Sequence, residues 1–120
     1  MLSTRVKVTQ GFVRGVEEKL PDGRGFLRFS GIPYAEPPVG ELRFQPPKKL
    51  LKFSDYEIDC TKERDACYHK STISKKYVGS EDCLNLNVYV PLQSDNKKKL
   101  TVMVYIHGGG LKYDSNSKEL

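Results

Sequence analysis

A chain of 120 residues is long enough for one small domain and too short for two. It is 38% hydrophobic and 29% charged, ordinary for a globular protein, and no stretch reaches the ~18 consecutive apolar residues that span a bilayer. The net charge of +5 comes largely in short lysine runs at 48–49, 75–76 and 97–99. Each run sits beside a turn or between strand candidates, where solvated lysine is the plain expectation, and clustered charge alone does not make a nucleic-acid-binding face.

The chain opens on Met1-Leu2-Ser3-Thr4-Arg5-Val6-Lys7, without the roughly 7–15-residue apolar core of a secretory leader. Together with the absence of any Asn-x-Ser/Thr acceptor, this favours a cytoplasmic protein; secretion stays open should a leader precede Met1. Val6, Val8, Phe12, Val13 and Val16, flanking Gly11 and Gly15, predict a hairpin or a bent pair of short strands. Pro21-Asp22-Gly23 predicts a turn, because proline presets φ and glycine tolerates positive φ. Residues 25–32 alternate loosely and predict the next strand. Residues 33–47 hold five of the seven prolines, which excludes helix or central strand through most of the stretch and leaves a rigid, extended surface segment.

Residues 48–80 mix charge and scattered aromatics and predict a loop with at most short elements. Three cysteines, Cys60, Cys67 and Cys83, allow three single bridges or none. With no C-x-x-C and only His69 and His107 as histidines, their spacing does not suggest zinc. In residues 84–90, Leu84, Leu86, Val88 and Val90 fall on one face of a strand, and Asn85, Asn87 and Tyr89 on the other. Pro91 ends the strand, and Ser94-Asp95-Asn96-Lys97 predicts a polar turn. Residues 100–106 form a near-continuous apolar run, as expected of a strand buried on both faces of an α/β sheet.

That run leads straight into His107-Gly108-Gly109-Gly110. Three consecutive glycines cost backbone entropy and pack nothing, so the backbone itself has work there. Ligands of open α/β sheets sit at the C-terminal ends of strands. Two N–H groups aimed at one point would stabilise the oxyanion of a tetrahedral acyl intermediate. A flexible glycine turn is the plain alternative; a phosphate loop lacks its G-x-G-x-x-G or G-K-[ST].

Three blocks in order make the chain resemble the start of a type-B carboxylesterase, the cholinesterase-like branch of the α/β-hydrolases, and most of all an insect α-esterase. They are Phe29-Ser30-Gly31-Ile32-Pro33-Tyr34-Ala35-Glu36-Pro37-Pro38-Val39-Gly40-Glu41-Leu42-Arg43-Phe44, Ser80-Glu81-Asp82-Cys83-Leu84-Asn85-Leu86-Asn87-Val88-Tyr89, and Val102-Met103-Val104-Tyr105-Ile106-His107-Gly108-Gly109-Gly110. The resemblance implies an α/β fold. Residues 1–120 would be the N-terminal part of a single type-B domain, with antiparallel strands leading into a mostly parallel central sheet, incomplete after the glycine loop. It implies a serine esterase acting on small-molecule carboxylic esters, with no cofactor and no metal. Gly109 and Gly110 would be the oxyanion-hole donors, with His107 and Gly108 supporting the motif. Arg43 and Glu81 would form a structural salt bridge, and Cys67 and Cys83 a disulfide that leaves Cys60 spare. The resemblance puts nucleophile, base and acid beyond Leu120; this chain contains no G-x-S-x-G. Where the family continues with an aromatic residue and a glycine, this chain has Leu111-Lys112-Tyr113-Asp114. Two other readings keep the same resemblance: a non-catalytic cholinesterase-like adhesion protein, and a degenerate truncated esterase copy.

Overall fold

The computed structural model describes residues 4–92 and 99–116. Strand β1 (Arg5–Val8) turns through Thr9 and Gln10 into β2 (Gly11–Arg14) as an antiparallel hairpin, Val8 opposite Gly11. The parallel strand β5 (Glu57–Asp59) adds to the other side of β2, giving a three-stranded sheet. Strands β3 (Val16–Lys19), β4 (Gly25–Pro33) and β8 (Asn85–Pro91) form a second, antiparallel sheet with β4 in the middle. A two-stranded hairpin, β6 (His69–Lys70) with β7 (Tyr77–Val78), stands apart from both. The only helical element among the described residues is one 3₁₀ turn, Gly40–Leu42.

The hairpin and proline-rich elements follow local chemistry. Gly15 is where the chain leaves the first sheet for the second, since a Cβ there would lie 2.4 Å from the Arg28 carbonyl oxygen and 2.6 Å from the Phe29 ring. Only glycine lets the two sheets approach so closely at that corner. The Pro21-Asp22-Gly23 turn closes β3 onto β4, with the Leu20 N–H donating to the Arg24 carbonyl at 2.8 Å and Asp22 accepting from the Arg24 N–H at 3.0 Å. The salt bridge from Arg28 to Glu18 (2.6 Å) then ties the hairpin across its face. After Pro33 the chain is pinned near its start, where Tyr34 N–H donates to Leu84 O and Glu36 N–H to Lys48 O, before it bends through the 3₁₀ turn.

The core sits between the two sheets. Val13 and Ile58 come from the first, Leu27 and Phe29 from β4, and Phe53 and Cys60 from the connecting segments. The Cys60 thiol is fully buried, and burial pushes its pKa from 9.0 up to about 11. Because the folded value lies above the ordinary one, this group stabilises the fold below pH 9.0, and that contribution is lost as pH rises toward about 11. Denaturant midpoints are expected to fall across that window, and C60A to flatten the slope. Ellman's reagent should label this thiol only on unfolding, because buried neutral thiols are inert.

Two expectations need correction. Residues 100–106 form no strand: no ladder partner exists among the described residues, and Val102, Met103, Val104, Tyr105 and Ile106 are 82–92% exposed. An apolar run encodes burial only where neighbouring strands and covering helices exist, and no α-helix occurs among the described residues to cover this one. The ribbon it leaves is a hazard for self-association. In β8, Val90 pairs with Leu27 at the core, but Leu86 and Val88 remain 40% and 38% exposed. The predicted apolar face is therefore only partly covered. The predicted turn at 94–97 and most of the 97–99 lysine run lie outside the described residues.

Candidate functional site

The glycine run ends the exposed ribbon in a tight turn. Gly109 has φ +110° and Gly110 φ +58°, and the Gly109 carbonyl accepts from the N–H groups of Lys112 (3.1 Å) and Tyr113 (3.3 Å). A Cβ on Gly109 would stand 1.9 Å from the Tyr113 carbonyl oxygen, so no other residue fits this turn as it is built. Gly110 is set only by its backbone conformation, since nothing lies within 4 Å of an added Cβ. Neither the Gly109 nor the Gly110 N–H donates to an acceptor among the described residues. Both N–H groups are therefore open to solvent or to a bound group.

The turn carries further strain. Leu111 and Asp114 also hold positive φ, at 60° and 86°, a conformation that costs a non-glycine residue about 1 kcal/mol or more. Such residues persist only where the surroundings hold them. Here the far end is clamped to β8: Asn87 Nδ2 donates to the Asn116 carbonyl at 2.9 Å, and Asn116 Nδ2 donates to Asn85 Oδ1 at 3.2 Å. Asn87 Oδ1 also accepts from the Gly31 N–H at 2.8 Å, so one side chain links β4, β8 and the glycine loop. This asparagine clamp escaped sequence reasoning. Its signal was there in Asn85 and Asn87 alternating within a strand, where asparagine is otherwise depleted.

The other candidate residues fall elsewhere. The exposed His107 ring donates from Nδ1 to the Gly108 carbonyl at 2.8 Å, a local contact within its own loop. His69, 7% exposed, donates from Nδ1 to the Cys67 carbonyl at 2.7 Å. It lines a cavity of about 700 Å³ with Arg28, Arg64, Ser71 and Ser115, and Gly109 and Gly110 lie outside that lining. Cys67 and Cys83 are joined by a disulfide, leaving Cys60 free. Arg43 Nε lies 3.0 Å from Glu81 Oε1, with both side chains well exposed. Among the described residues no three His, Cys, Asp or Glu side chains are grouped to hold a metal.

The Arg43–Glu81 pair joins the proline-rich segment to the start of β8, but solvent screens it. We expect E81Q to change stability by only ~0–1 kcal/mol, with a double-mutant cycle against R43Q as the check.

The sequence profile of the Carboxylesterase family matches residues 2–119. The chain belongs to the carboxylesterase family. Membership implies the α/β-hydrolase fold; the described residues hold small, mostly antiparallel sheets and almost no helix. This carboxylesterase chain is 38% identical over 119 residues to a carboxylic ester hydrolase of Bombus ignitus, covering 95% of itself and 21% of that protein. It is 43% identical over 102 residues to juvenile hormone esterase of Tribolium castaneum, covering 83% of itself and 17% of the relative. Acetylcholinesterase of Electrophorus electricus is 37% identical over 123 residues, with 92% and 19% covered. The chain therefore spans about a fifth of the length of the curated relatives it matches.

Proposed function

We propose that this stretch is the N-terminal part of a single serine carboxylesterase domain, with antiparallel strands preceding a mostly parallel central sheet. Residues 100–106 would enter that sheet as a buried strand once further strands and helices pack around them. The observation that carries the reading is the pair of unpartnered N–H groups at Gly109 and Gly110, held in a strained turn at the end of an apolar run.

In acyl transfer a serine hydroxyl attacks the ester carbonyl while a histidine base takes its proton. The carbonyl oxygen then becomes an oxyanion, to which the N–H groups of Gly109 and Gly110 donate. The expelled alcohol leaves an acyl-enzyme, which water hydrolyses through a second oxyanion in the same hole. The donors must already be in place, because donors fixed before the reaction need no reorganisation as charge develops. His107 and Gly108 support the loop's approach rather than the proton transfers. No G-x-S-x-G occurs in these residues, so nucleophile, base and acid belong to a longer chain. Its substrate would be a small carboxylic ester.

The Cys67–Cys83 bridge supports an oxidising compartment over the cytoplasm that the opening residues favoured. The test of the whole reading is turnover of a chromogenic p-nitrophenyl ester. The longer protein should hydrolyse it, and the 120-residue chain should not exceed the buffer rate. Hydrolysis by the short chain, or none by the longer one, would sink the assignment.

A further inference from the structure

The disulfide-closed strap between Cys67 and Cys83 has an inner and an outer face that the esterase reading does not use. The register His69↔Val78 and Lys70↔Tyr77 puts His69 and Val78 on one side of the hairpin and Lys70 with Tyr77 on the other. The inner side is anchored, with His69 7% exposed and bonded to the Cys67 carbonyl. On the outer side the rings of Tyr68 and Tyr77 stack at 5.5 Å and an interplanar angle of 12°, yet are 62% and 64% exposed. At the tip Ile73 is 72% exposed. The tip is fixed rather than loose, since Ser71 Oγ accepts from the N–H groups of Ile73 and Ser74 and the Ser71 N–H donates to the Lys76 carbonyl.

Charge completes the pattern. Lys70, Lys75 and Lys76 are all exposed, none has an ion-pair partner among the described residues, and residues 68–80 contain no acidic side chain. Of the flanking carboxylates, Glu81 is occupied by Arg43. Tyrosines settle at the headgroup level of a bilayer, an aliphatic tip enters its apolar boundary, and lysines meet anionic headgroups.

We propose that the 67–83 strap is a docking tip for an anionic phospholipid surface. The stacked tyrosines, Ile73 and the three lysines supply interfacial, apolar and electrostatic contacts from one pre-shaped loop. The rigidity given by the disulfide keeps the ordering cost of binding low.

The test is co-sedimentation of the 120-residue chain with phosphatidylcholine vesicles, with and without added phosphatidylserine. Any lipid adhesion by the apolar ribbon at 102–106 is charge-independent and appears equally in both. The chain should bind the phosphatidylserine vesicles preferentially, and salt should weaken the preference. The K70Q/K75Q/K76Q variant should lose about a hundred-fold in partitioning, at roughly one decade or less per lysine. The matching triple Lys→Arg variant should keep it, and I73S should weaken binding while preserving its salt dependence. Equal binding to both vesicles, or a triple Gln variant that partitions like the parent, would overturn the proposal. So would retention on immobilised polyglutamate without vesicle binding, which would assign the face to an acidic protein.

Discussion

Replacing Gly109 with alanine in a longer protein that carries the proposed esterase domain is expected to lower kcat by about 10²–10³-fold while KM changes little. The substitution keeps the N–H, so the loss comes from geometry. An added Cβ lies 1.9 Å from the Tyr113 carbonyl oxygen, and φ +110° is strained for any L side chain. The turn must therefore open, and opening it reorients the N–H groups that the proposed function needs as donors. Gly110→Ala is the control that makes the claim specific. Its Cβ meets nothing within 4 Å, and φ +58° is a left-handed conformation alanine adopts at a cost of about 1 kcal/mol. Its effect on kcat should be the smaller by tenfold or more. Equal losses at the two positions would show that the turn geometry does not set the donors.

The second large effect concerns the strap. Cys67 and Cys83 lie 16 residues apart, and closing a loop of that size stabilises by ~3 kcal/mol in the chain-entropy account. The strands it closes are short, since β6 and β7 are two residues each and bury only His69, while the Ser71 bonds hold the tip alone. A C67S/C83S variant should therefore lose hydrogen-exchange protection locally, at the amides of Tyr68, Ser71 and Ser80, by about a hundred-fold. These N–H groups donate to Ser80, Lys76 and Ala66 carbonyls respectively. Amides of β4, bonded within the second sheet, should be unaffected. Unchanged protection at Tyr68 and Ser80 would mean the strap holds its shape without the bridge.

Much of the fold could be read from the residues because the signals were local. The Pro21-Asp22-Gly23 turn, the strand now seen as Gly25–Pro33 and the strand now seen as Asn85–Pro91 each carry their own punctuation. The short strands β5, β6 and β7 did not show, since two or three residues carry no period. The corner at Gly15 was invisible for a different reason: its need for glycine comes from Arg28 and Phe29, distant in sequence. Residues 100–106 mark the limit of reading hydrophobicity as structure. Their composition specifies burial, while the partners that would bury them are not among the described residues. At the site the glycine run was plain, but the asparagine clamp required knowing that Asn116 folds back onto β8.

Donation from Gly109 and Gly110 to an oxyanion, as proposed, can be read from binding of a trifluoromethyl ketone. Such a ketone forms a tetrahedral adduct with the esterase serine, and its oxygen anion occupies the hole that the transition state would fill. Measured on the longer protein and its Gly109→Ala variant, the inhibition constant should rise in parallel with the fall in kcat/KM, while KM for the ester stays near its original value. An inhibition constant unchanged by the substitution would mean that this turn supplies no oxyanion donors.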